Sequence, residues 1–189
     1  MTPLGRRFAR LLRPVARAAL SVFYDRTYLS GRHFEENLGG FAWALRSVWL
    51  KNILRIAPPL PWPSAITCYV SNPQNILFHP DDLNNFQSPG TYFQNFSGRI
   101  SLGRGTYIGP NVGIITANHS PGDLAHHEPG RDVALGERCW IGMNSTILPG
   151  VVLGNETIVA AGSVVTNSFP EGHITIGGTP AKPLARRVN

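Results

Sequence analysis

The chain has 189 residues, enough for one domain with a substantial core plus an appendage. Charged residues make up 15% and hydrophobic residues 42%, with 20 glycines and 16 prolines. That balance excludes a disordered segment and a charged helical bundle, and suits a turn-dense β structure. The net charge of +6 is unevenly placed, because Arg6, Arg7, Arg10, Arg13 and Arg17 crowd the N-terminus. A local acidic partner is therefore expected, and a nucleic-acid partner is not.

Residues 1–57 read as a helical segment. Within it, residues 4–23 are amphipathic at helical spacing. Leu4, Phe8, Leu11, Leu12, Val15, Ala19 and Phe23 share one face, and Arg6, Arg10, Arg13 and Arg17 the other. Pro14 should kink or restart this helix. Two readings stay open: a peripheral helix on an anionic membrane, or a helix packed on its own domain or a sister subunit with its arginines solvated. Residues 41–56, "FAWALRSVWLKNILRI", read as a second helix. Its apolar residues run most of the way round, so it is expected to be well buried, with Trp43 and Trp49 in the core.

The prolines of "APPLPWPS" then block any helix and set a boundary at 58–65. The remaining residues, 66–189, form the main domain, with irregular strands expected up to about residue 95. Cys68 and Cys139 are the two cysteines, far apart; they make neither a disulfide framework nor a zinc-ligand spacing and fit a reducing compartment. The N-terminus lacks the apolar stretch of a secretory signal, and no apolar run is long enough to span a membrane. A cytoplasmic location is expected, with residues 4–23 a candidate contact at the inner face of the membrane.

A strict period of six dominates the main domain. Leu102, Ile108 and Ile114 stand six apart, as do Leu135, Ile141, Ile147, Leu153, Val159 and Val165. Four residues after these come small or branched side chains: Thr106, Val112, Cys139, Ser145, Val151, Thr157 and Ser163. This period fits neither a helix nor a hairpin series but a β-solenoid of hexapeptides. Each hexapeptide supplies one short strand and one corner, and three close a triangular coil. The aliphatic residue points inward and stacks on its equivalent one coil away, at about 4.8 Å. Gly or Ala commonly follows it, expected to relieve crowding at the bend.

The phase breaks once. Ile114 and Leu135 are 21 residues apart, and between them lies the polar "ANHSPGDLAHHEPGRD". This stretch cannot continue the coil, so residues 118–132 should form an extruded loop. A loop interrupting a rigid solenoid is a good place for a reactive group. Residues 171–189 read as a tail.

The segments "IGPNVGIITANHS", "VALGERCWIGMNSTILPGVVLGNETIVAAGSVVT" and "GGTPAKPLARR" resemble the hexapeptide-repeat acyltransferases, in particular the maltose, galactoside and polysaccharide O-acetyltransferases. Thr179 departs from the pattern, where the family usually has Asn. The resemblance implies an all-β, left-handed parallel β-helix and transfer of an acetyl group from acetyl-CoA to a saccharide hydroxyl of a surface polysaccharide or glycan. It implies His119 as general base; a neutral imidazole is suited to take the hydroxyl proton, so attack is direct. No metal is expected. Asn95 is implied as an acceptor contact. Gly142, Ala160 and Ala161 would allow close approach of the pantetheine, and Lys182, Arg186 and Arg187 would meet the nucleotide phosphates. Gly142 is also the expected oxyanion donor. Trp140 should point outward, against acceptor, acetyl-CoA or a neighbouring subunit. A homotrimer is implied, and flat apolar sides are costly to expose. His126 and His127 match no motif position and are read as solvated or acceptor-contacting. Three alternatives stand beside this reading: an N-acetyltransferase on an amino sugar, a metal hydrolyase of the gamma carbonic anhydrase type, and a non-catalytic scaffold.

Overall fold

The period of six becomes three faces. In the computed structural model, which describes residues 3–186, the strands visit three sheets in strict turn. Ile100–Leu102, Tyr107–Ile108 and Gly113–Ile115 make one coil; Val133–Leu135, Trp140–Ile141 and Thr146–Ile147 the next; Val152–Leu153, Ile158–Val159 and Val164–Val165 the third. Successive coils pair in parallel, in register: Ile108 on Ile141 on Val159, and Leu102 on Leu135 on Leu153. Backbone groups are thus satisfied from coil to coil.

Each aliphatic of the repeat is buried, and so is each second inward position from Thr106 to Ser163. The buried hydroxyls are not orphaned. Thr106 Oγ1 donates to Gly136 O (2.7 Å), Thr157 Oγ1 to Gly154 O (2.7 Å) and Ser163 Oγ to Ala160 O (2.6 Å). The corners bend three residues after the aliphatic, where Asn111, Arg138, Asn144 and Glu156 all have φ between 53° and 60°. Arg138 and Glu156 hold this left-handed conformation as an ion pair, 2.6 Å apart. The glycine directly after the aliphatic has a different role from the one expected. A Cβ on Gly136 would stand 2.6 Å from Asn155 N of the next coil, so it is close stacking, not the bend, that demands glycine.

An open solenoid end exposes strand edges and a cross-section of core. The N-terminal segment covers it. Helices α1 (Pro3–Leu20), α2 (Arg32–Glu35) and α3 (Gly39–Ser47) precede the coils, and α3 continues as a π-helical turn, Val48–Ile53. Leu20, Tyr24, Phe34, Trp62, Phe86 and Phe93 join the helical layer to the first coils in one core. The irregular entry strands, Tyr69–Val70 and Ile76–Leu77, extend two of the sheets. The architecture is therefore a mostly parallel β-solenoid with a packed helical cap.

Three expectations change. The 41–56 helix is buried along one stripe only, Ala44, Ser47, Val48 and Lys51, whereas Trp49 is 56% exposed. A single layer packs against it, so one face of the wrap-around apolar surface faces out. Helix α1 continues through Pro14 and turns the other way from the solvated-arginine reading: Val15 is 66% exposed, while Arg13 donates to Glu35 O and Arg17 lies 3.5 Å from the Glu35 carboxylate. The side chains of Leu4, Arg6, Phe8, Arg10 and Leu11 lie outside the described residues. The tail, thirdly, is ordered as a strand: Ala181–Arg186 pairs antiparallel with Ile174–Gly178, which itself continues a solenoid face. Among the described residues, no helix is long and apolar enough to cross a membrane.

Lys51 is almost fully buried, and Nζ donates to Ser64 Oγ (2.8 Å). Burial holds its pKa below the ordinary value. Between the lowered and the ordinary value, the unfolded chain binds more protons, so this group adds stability as pH rises. Burial raises the pKa of Cys68 and Tyr24, which act in the opposite sense. The readout is therefore a difference: Lys51→Met is expected to remove a rise in relative stability as pH climbs towards the ordinary lysine value of about 10. Urea midpoints of the two proteins that run parallel as pH approaches that value would contradict it.

Candidate active site

Stacked equivalents one coil apart are 18 residues apart, as Ile141 and Val159 are; Ile114 and Ile147 are also stacked, but 33 apart. The 15 extra residues are those of the extruded loop, 118–132. The loop is not irregular. His119–Ser120 pairs antiparallel with Asp123–His127, a short finger at the corner after Gly113–Ile115. Its base is closed by Glu128 N to Asn118 O (2.9 Å) and Arg131 N to Thr116 O (2.7 Å).

Gln94 anchors the finger, and the sequence offered no signal for it. Its Oε1 accepts from Thr116 N (3.1 Å) and Ala117 N (3.0 Å), while Nε2 donates to Ala117 O (3.1 Å). The amide thus grips the two residues that lead towards His119.

His119 is exposed, and its Nδ1 lies 2.8 Å from Leu124 O. A carbonyl only accepts, so Nδ1 carries the proton and Nε2 presents a free lone pair. The ring plane is also held. His127 packs against His119 with centroids 4.1 Å apart and the rings tilted by 34°, and Phe96 meets His127 edge-on at 4.8 Å. His126 is a separate arrangement, with Nδ1 2.6 Å from Asp123 Oδ2. In the sequence His127 reads only as solvated or acceptor-contacting, and Phe96 does not stand out at all, because a ring contact made once leaves no spacing pattern.

The other sequence-derived candidates divide. Trp140 faces outward as expected, 57% exposed, between Tyr107 and Ile158 in register. Ala161 and Lys182 are exposed and Ala160 is half-buried. Arg186 is described in its backbone only, and Arg187 lies outside the described residues. Two candidates are taken up by the fold itself. Asn95 is fully buried; Oδ1 accepts from Asn72 N (2.9 Å) and Nδ2 donates to Asn72 O (2.7 Å), so it braces the entry strands. Gly142 is buried, its N–H donates to Val159 O (2.8 Å), and a Cβ there would meet Ala161 N at 2.6 Å. It is neither a free oxyanion donor nor an outward gap; its smallness serves the next coil.

The chain does not bring the remaining candidates together. The His119 finger leaves the corner after Gly113–Ile115, whereas Ala160 and Ala161 sit at the corner after Ile158–Val159, next to the Trp140 face. Both thiols, Cys68 and Cys139, are buried and pushed up in pKa, chiefly by desolvation, which disfavours them as nucleophiles. Among the described residues, no three His, Cys, Asp or Glu are grouped as metal ligands.

The fold and the finger define a hexapeptide β-solenoid carrying an oriented, solvent-facing histidine. Residues 132–167 match the family model described as bacterial transferase hexapeptide (six repeats), and the chain is similar to the hexapeptide-repeat acyltransferases. WbbJ of Escherichia coli K12, named for O-acetyl transfer in lipopolysaccharide biosynthesis, is 37% identical over 101 residues, 46% of this chain and 50% of that one. A galactoside O-acetyltransferase of Lactococcus lactis is 36% identical over 94 residues, 48% of this chain and 44% of that one. A maltose O-acetyltransferase structure from Clostridium difficile superposes with a TM-score of 0.48 and 29% identity, covering 53% of this chain and 54% of that one. The chain spans about half the length of the curated relatives it matches.

Proposed function

We propose that this chain is an acetyl-CoA-dependent O-acetyltransferase that acetylates a saccharide hydroxyl in surface polysaccharide or glycan biosynthesis, on the cytoplasmic side of the membrane. The observation that carries the reading is His119, whose Nδ1–H is tied to Leu124 O so that Nε2 is the proton acceptor. The relatives' names supply the acyl group and the acceptor class. Nε2 takes the acceptor hydroxyl proton as that oxygen attacks the thioester carbonyl. The new C–O bond forms, the C–S bond breaks, and the imidazolium returns the proton to the departing sulfur. Trp140, Ala160, Ala161 and Lys182 offer an exposed face for the donor, with Lys182 directed to phosphate charge. Because these stand at a different corner from His119, a complete site takes a finger from one protomer and a face from another, in a trimer of left-handed solenoids.

Thiol release from acetyl-CoA, followed with a panel of neutral sugars, amino sugars and sugar nucleotides, is expected to depend on at least one hydroxyl acceptor. Release that never depends on an acceptor would remove the reading, and dependence on amino acceptors alone would move it to N-acetyl transfer. The stack on His119 makes a second expectation. His127→Phe keeps an aromatic ring there and should retain most turnover. His127→Ala frees the imidazole and should lower kcat by about tenfold with KM for acetyl-CoA unchanged, a positioning loss. Equal rates for the two variants would deny the stack a role.

A further inference from the structure

Arg13 and Arg17 of α1 do not simply cover the body. Between α1 and the 3₁₀ turn Arg26–Leu29 lies a cleft of about 450 Å³, lined by Arg13, Arg17, Arg26, Leu29 and Ser30. Three guanidinium groups share it. The carboxylate in contact with them among the described residues is Glu35, 3.5 Å from Arg17 Nη2 and itself largely exposed. The Nε–H groups of Arg13 and Arg17 are shielded from solvent and have no acceptor among the described residues. Arg26 is exposed and meets no carboxylate among the described residues. Buried donors are nearly always paired in folded proteins, and each unpaired one is costly. The cleft therefore has an excess of positive charge and room for a ligand with several acceptor oxygens.

We propose that this cleft is an anion site for a phosphoryl group, held by the guanidinium groups of Arg13, Arg17 and Arg26 that line it. Planar guanidinium groups match phosphate oxygens in geometry as well as charge, and three of them around one cleft favour an anion of several oxygens over chloride. Leu12, Val15 and Val22 are exposed on the same segment, so the phosphoryl group has two sources: a lipid headgroup at a membrane surface, or a soluble phosphorylated molecule. The site does not depend on the acetyl-transfer reading.

The test uses the full chain and two probes, inorganic pyrophosphate and vesicles of phosphatidylglycerol in phosphatidylcholine, with phosphatidylcholine vesicles as the neutral control. Binding of either anionic probe by the wild-type protein is expected to weaken with salt. Arg26→Gln should weaken it about fivefold or more, the loss of one charge-assisted contact. Glu35→Gln, which removes the competing carboxylate, should strengthen it, a gain that a misfolded variant does not produce. Binding of pyrophosphate identifies a soluble source, and binding of the anionic vesicles alone identifies a headgroup; either supports the site. No binding by the wild type, equal binding by all three proteins, or equal binding to neutral vesicles overturns it.

Discussion

His119→Ala is expected to lower kcat for acetyl transfer by about 10²–10⁴-fold, the usual contribution of a positioned general base. The effect should fall on kcat and kcat/KM together, with KM for acetyl-CoA nearly unchanged, because the imidazole acts on the hydroxyl proton in the transition state and does not hold the donor. The reason lies in one hydrogen bond. Leu124 O accepts from Nδ1 at 2.8 Å, so the proton is fixed on the nitrogen that faces the finger and the basic nitrogen faces outward. Since His119 is exposed and its finger is anchored by Gln94 and by backbone bonds at its base, the variant should keep its far-ultraviolet circular dichroism and melting temperature. Turnover within a factor of about two of wild type would rule out general-base catalysis at this position.

Ile141→Ala carries the largest expected loss of stability, about 2–5 kcal/mol. Ile141 has no exposed surface and stands in the middle of an inward column, between Ile108 and Val159. Neighbouring coils are locked to each other by backbone pairing, so the cavity cannot collapse and the cost should lie towards the upper end. Val152 belongs to the same short-strand pattern but points outward and is exposed; Val152→Thr should stay within about 0.5 kcal/mol. Urea denaturation at constant m-value measures both. Equal losses at the two positions would contradict the alternation on which the prism is built.

The repeat was legible because the same rule acts at every coil. An inward aliphatic must meet the aliphatic above it, so Leu102, Ile108 and Ile114 recur as Leu135, Ile141 and Ile147, and a single chain displays the constraint many times. The inserted finger was legible for the same reason, since a break in phase is visible only against a strict period. Glycine's reason was not: Gly136 and Gly142 look like bend residues in one dimension, and only the stacked backbone shows that the next coil occupies their missing Cβ. Asn95 likewise resembles an acceptor contact until Asn72 is seen to use its amide.

From residues alone follow the six-residue period, the inward column, and the length and place of the finger, which short-range spacing encodes because the rule is local and repeated; His119 is singled out by the resemblance of the segments around it to the hexapeptide-repeat acyltransferases. The folded chain alone decided which His119 nitrogen is free, that His127 and Phe96 pack around its ring, that Gln94 anchors the finger, and that Arg13 and Arg17 turn towards a cleft while Val15 and Trp49 face out. Each of these depends on a contact made once, and a contact made once leaves no periodic trace.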